Sequence, residues 1–123
     1  MKVDKIYLKS GSKFSEKIVD WAAARAKEVV TIADKFHESF DSIDSMLIFN
    51  ENQSLSKEIS DIKSLFDKQQ KAVHKIDING TLMVGMSNLD LWAEQSKCKH
   101  LLIIGGDELV KNHNLERYID ATK

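Results

Sequence analysis

The chain has 123 residues, of which 42% are hydrophobic and 30% charged, with a formal net charge of −1. This balance lies far from the disordered regime and suffices for one two- or three-layer core over residues 1–123, without disulfides or metal. A near-neutral chain has no positive field to attract nucleic acid or an acidic membrane surface, so neither is an expected partner.

Cys98 is the only cysteine, which rules out an intramolecular disulfide and suits a reducing compartment. The longest apolar runs, residues 46–49 and 101–104, are far too short to cross a bilayer. Residues 1–10 carry Lys2, Asp4, Lys5 and Lys9 and no signal-peptide core, so a cytoplasmic location is expected. There is no proline, and neither repeats nor low-complexity segments divide the chain.

In chain order, residues 3–9 read as a strand with Val3, Ile6 and Leu8 apolar. From residue 14 to about residue 40, Phe14, Ile18, Trp21, Ala22, Val29, Ile32 and Phe36 recur at three- and four-residue spacings. That period predicts one long amphipathic helix with Ser12 as its N-cap. Residues 45–50 form a short apolar strand, followed by Glu51, Asn52, Gln53 and Ser54 as loop and cap. Leu55, Ile59, Ile62 and Phe66 then line a second helix whose charged side is solvated. Residues 72–78 alternate as a third strand, and the continuous Leu-Leu-Ile-Ile run at 101–104 predicts a buried central parallel strand. Residues 115–119 close the chain as a short helix.

The stretch from 79 to 86 supports two readings. Asn79-Gly80 between two apolar runs is a two-residue hairpin signal, with a strand at 81–84 and Ser87-Asn88-Leu89-Asp90 as a capping box. Alternatively a helix starts at Thr81, aligning Leu82, Met86, Leu89 and Ala93 at the cost of an interior Gly85. The hairpin is the preferred reading. Either way, strands alternating with helices predict a three-layer α/β domain, a mostly parallel sheet of about four to five strands with flavodoxin-like or Rossmann-like layering.

Ligands of such sheets bind beyond the carboxyl ends of the strands, which singles out residues 10–15, 50–54 and 105–108. Ser10, Ser12 and Ser15 surround Gly11 and Lys13 at a strand-to-helix turn, where hydroxyls and free amides suit an anion. The spacing resembles the phosphate loop of the flavodoxin family, with hydroxyls at the first, third and sixth positions. The resemblance covers the first strand-loop-helix unit and implies flavin mononucleotide or a nucleotide as ligand. Lys13 stands where that family has a glycine. Gly105 and Gly106 follow the fourth strand and would let a ligand approach the sheet edge, although a tight turn also explains them. Glu51, Asp107 and Glu108 bring negative charge to the same rim, and Asp107 and Glu108 suit a helix start.

Cys98 is expected to be a buried, inert thiol, and His37, His74, His100 and His113 lack paired metal-ligand spacing. His74 and Asp77, three apart on a strand, face opposite sides. The helix containing Trp92-Ala93-Glu94-Gln95-Ser96-Lys97, followed by Leu-Leu-Ile-Ile, is faintly similar in general pattern to the segment bearing the acidic residue of TIR-like domains. That similarity implies Glu94 as a remote catalytic candidate for cleaving a nucleotide glycosidic bond. With no nucleophile motif, Walker loop or zinc signature, the leading expectation is a non-enzymatic domain that works through a protein partner or a homo-oligomer, with no cofactor. Met83, Met86, Leu91 and Trp92 are the expected interface residues. Phosphate-ligand binding at Ser10, Gly11, Ser12, Lys13 and Ser15 is the alternative.

Overall fold

The computed structural model describes residues 2–32, 40–51, 56–78 and 82–122, with the side chains of 82–86 outside the description. Its elements are β1 (Val3–Lys9), α1 (Lys13–Ala23), β2 (Ala26–Ile32), a 3-10 turn (Phe40–Ser42), β3 (Ser45–Asn50), α2 (Lys57–Lys68), β4 (Ala72–Asp77), α3 (Leu82–Ser96), β5 (His100–Gly105), α4 (Glu108–Lys111) and α5 (Asn114–Ala121). The five strands form one all-parallel sheet in the order β2-β1-β5-β3-β4. This is the expected three-layer α/β architecture. No helix among the described residues is long and apolar enough to cross a membrane.

Right-handed crossovers dictate which helix covers which face. The connections β1 to β2 and β4 to β5 run toward the β2 edge and place α1 and α3 on one face. Those from β2 to β3 and β3 to β4 run the other way and place the 3-10 turn and α2 on the opposite face. The two cores follow this division. Ile6, Leu8, Leu47, Phe49, Leu101 and Ile103 meet Phe14, Ile18, Trp21, Leu89 and Tyr118 on the first face. Tyr7, Met46, Ile48, Leu102 and Ile104 meet Ile59, Phe66 and Ile43 on the second. The 101–104 run is buried on both faces because β5 lies at the centre of the sheet.

The long helix expected to about residue 40 ends instead at Ala23, and β2 follows at once. Val29 and Ile32 are three apart, a spacing that fits a helix stripe as well as opposite faces of a strand. Here Val29 packs on the first core while Val30 and Ile32 pack on the second. The β-branched run Val29-Val30-Thr31-Ile32 pays less conformational penalty in a strand than in a helix. The helix stops where Arg25 turns back, donating to the Trp21 and Thr122 carbonyls at 3.1 and 2.6 Å and stacking 4.0 Å over the Trp21 ring. Phe36 lies outside the described residues.

The hairpin at Asn79-Gly80 is also corrected. Residues 79–81 lie outside the described residues, but from Leu82 the backbone is helical, so 82–84 is no strand and Ser87 lies inside α3 instead of capping it. A parallel β4-to-β5 connection has to travel the length of the sheet, which a fifteen-residue helix does and a hairpin does not. The second helix begins two residues later than a cap at Ser54 implies. Ser56 caps α2, its hydroxyl accepting from the Ile59 amide at 3.3 Å, while residues 52–55 lie outside the described residues.

His74 faces the first core from β4 and stacks on Trp92, ring centres 5.1 Å apart. Burial holds its pKa below the ordinary histidine value. A depressed folded-state pKa means that its contribution to stability is complete above the unfolded value of 6.5 and is lost as pH falls through the folded value. The urea midpoint is therefore expected to fall below about pH 6.5. His74→Phe, which keeps the stack but removes the titration, should flatten that slope; an unchanged slope would place its origin elsewhere.

Candidate ligand site at the carboxyl ends of β1 and β5

The chain leaves β1 through Ser10, whose amide donates to the Ile32 carbonyl at 2.7 Å, and turns at Gly11 with φ of +79°. That left-handed conformation is inexpensive only for glycine. Ser12 then caps α1 as expected, its Oγ accepting from the Ser15 amide at 3.4 Å. From the neighbouring strand, β5 ends at Gly105 and leads through Gly106 and Asp107 into α4. Because α2 starts on the far face of the same edge, its first residues Ser56, Glu58 and Ile59 close the gap.

Between these three segments lies a cavity of about 480 Å³. Ser10, Gly11, Ser12, Ser15, Gly105 and Gly106, all expected from the sequence, line it together. Lys13 is exposed and is not part of the lining; the cation of this cavity is Lys9, which is ion-paired with Glu58. Asp107 and Glu108 complete the wall, with the Glu108 carboxylate folded against Gly106 so closely that a Cβ on Gly106 would collide with it. The third expected rim segment turns elsewhere. Glu51 accepts from Asn112 and Asn114 at 2.7 and 3.1 Å and ties the end of β3 to the α4–α5 loop.

Asp107 decides the electrostatics. It sits at the N-cap position of α4 but makes no side-chain cap there. Its Oδ1 instead accepts from the Ser12 hydroxyl and from the Phe14 backbone amide, each at 3.1 Å. The amino end of α1, where an incoming anion would be received, therefore already holds an internal carboxylate. Asp107→Ala should remove about 1 kcal/mol of stability, as loss of a helix-end acceptor does, measured by chemical unfolding. No loss would mean that water replaces the carboxylate at no cost.

Sequence reasoning missed Lys9, Ser56, Glu58 and the destination of Asp107. Lys9 was visible as the last residue of a strand. That α2 begins beside β1 depends on strand order, and no local signal carries it.

Glu94 lies exposed near the carboxyl end of α3, beside the amino end of β5 and so at the opposite end of the sheet from the cavity. Cys98 is buried, and burial pushes its thiol above the ordinary range, with the Asp44 charge adding to the effect and a hydrogen bond with Ser45 opposing it. Leu91 is exposed and Trp92 is half-buried against His74, while the side chains of Met83 and Met86 fall outside the description. No family model, curated protein or solved structure matches the chain.

Proposed function

We propose that this domain binds a small hydroxyl-bearing ligand without a phosphate group in the cavity at the carboxyl ends of β1 and β5. The observation that carries this reading is the bond between Asp107 and the amino end of α1. A phosphate would have to displace that carboxylate. It would also enter a wall in which, among the described residues, Glu58, Asp107 and Glu108 face one ammonium, that of Lys9, itself already paired. Like charges at such range in a crevice repel strongly. Flavin mononucleotide and nucleotides are disfavoured on the same grounds.

Hydroxyl groups meet the opposite situation. The carboxylates accept from them, and Ser10, Ser12, Ser15 and Ser56 both donate and accept. The volume suits a molecule of sugar or nucleoside size. The leading expectation from sequence, an interface built on Met83, Met86, Leu91 and Trp92, has only the exposed Leu91 in its favour among the described side chains.

The test is a two-dimensional amide spectrum of labelled protein titrated with monosaccharides, polyols, nucleosides and the matching nucleoside monophosphates to about 10 mM. Shifts at Gly11, Gly106 and Asp107 with unphosphorylated compounds, exceeding those with their phosphates, are expected. Silence across the panel, or a preference for the phosphates, would overturn the reading.

A further inference from the structure

We infer that the Lys9–Glu58 ion pair is the specificity-determining element of the cavity and that it reads a cis vicinal diol, as carried by ribofuranosides. The assignment rests on the cavity being the ligand site and adds the group that it selects. Alternation along β1 brings the pair together. Leu8 packs on the first core and Tyr7 on the second, so Lys9 follows Tyr7 to the face that carries α2. Glu58 stands in the first turn of α2, where the helix dipole favours a carboxylate. The Lys9 ammonium donates to Glu58 Oε1, and both side chains line the cavity. The contact therefore joins two walls of the site.

Among the described residues, neither side chain makes a second ion pair or side-chain hydrogen bond. The ammonium keeps two N–H donors, and the carboxylate keeps Oε2 and the spare lone pairs of Oε1. The wall thus offers a donor and an acceptor side by side, with their charges balanced. A vicinal diol matches that arrangement: one hydroxyl donates to Glu58 while its neighbour accepts from Lys9, and both bonds are charge-assisted. On a five-membered ring the cis isomer holds its two oxygens about one hydrogen-bond length apart, as close as the two groups they meet. The trans isomer splays them, and a deoxy compound lacks one. An anion would gain Lys9 but face Glu58, and an amine the reverse, so the pair also selects a neutral ligand. Ser10, Ser12, Ser15 and Ser56 remain for its other hydroxyls.

Amide spectra of the full chain, titrated to about 100 mM with the methyl furanosides of ribose, arabinose and 2-deoxyribose, read the preference at Lys9, Ser10 and Glu58. The ribose compound should bind roughly tenfold more tightly than the other two, the worth of one hydrogen bond to a charged group. Glu58→Gln and Lys9→Met should each abolish that preference, and Lys9→Glu combined with Glu58→Lys should restore it. With side chains 31% and 59% exposed, the pair contributes little to stability, so these variants are expected to fold. Their amide spectra check this, and either single variant carries the test if the other fails. Equal affinity for the three furanosides, or a preference that survives both single variants, would overturn the diol assignment. So would silence toward the ribose compound while other hydroxyl compounds bind. Silence toward every hydroxyl compound would instead overturn the cavity as a ligand site, and the assignment with it.

Discussion

Phe49→Ala is expected to destabilise the domain by about 3–5 kcal/mol, the cost of emptying a large aromatic from a packed core. Phe49 is 1% exposed, and its ring centre lies 5.6 Å from Phe14, 5.6 Å from Trp21 and 5.2 Å from Tyr118. The Trp21 and Tyr118 contacts are edge-on, at 86° and 78°, an arrangement that contributes beyond buried area alone. Two helices lose a shared partner on β3 at once, α1 through Phe14 and Trp21 and α5 through Tyr118. Because domain stabilities lie at about 5–15 kcal/mol, such a loss lowers the thermal midpoint by roughly 10–25 °C. A melt followed by far-UV circular dichroism checks this. A loss below about 1.5 kcal/mol would mean that the aromatic cluster collapses onto the space and is not the keystone of the first face.

The second large effect is expected from Gly105→Ala, although only one methyl group is added. A Cβ at this position would stand 2.5 Å from Cε2 of Phe14 and 2.7 Å from Cδ2. Phe14 is 1% exposed and cannot swing aside without disturbing the same cluster. Overpacking of this kind costs about 1–3 kcal/mol. The ligand site is also affected, because Phe14 is the residue whose amide holds Asp107. Gly105 thus serves the close packing of α1 on the end of β5 more than close approach by a ligand. Urea unfolding gives the energy, and an amide spectrum showing shifts at Phe14 and Asp107 gives the coupling. An unchanged midpoint would mean that α1 shifts to accommodate the methyl group.

The sequence made the fold legible wherever one face or both faces of an element are well buried. β1, β3 and β5 announce themselves by apolar runs, and α2 by Ile59, Ile62 and Phe66 on one stripe. β2 was hidden because it is an edge strand in which only Ile32 is fully buried, so Val29 and Ile32 extend the α1 period without contradiction. At 79–86 a local turn signal competed with a demand from topology. The helical backbone from Leu82 agrees with the need to cross back beside β1, a relation that spacing along the chain does not carry.

The site shows the same division. Ser12 as the α1 cap and the gathering of Ser10, Gly11, Ser15, Gly105 and Gly106 at one edge followed from the rule that ligands bind beyond strand ends. The partner of Asp107 did not. Its local context suits a cap for α4, yet its carboxylate bonds to residues 95 and 93 positions away.

Titration of the wild-type chain and Asp107→Ala with inorganic phosphate, read at the Phe14 and Ser15 amides, tests the central claim most directly. If the internal carboxylate fills the amino end of α1, the wild-type amides stay unmoved while those of the variant shift and saturate as phosphate takes the vacated position. Saturable binding of phosphate at those amides in the wild-type chain would contradict the account.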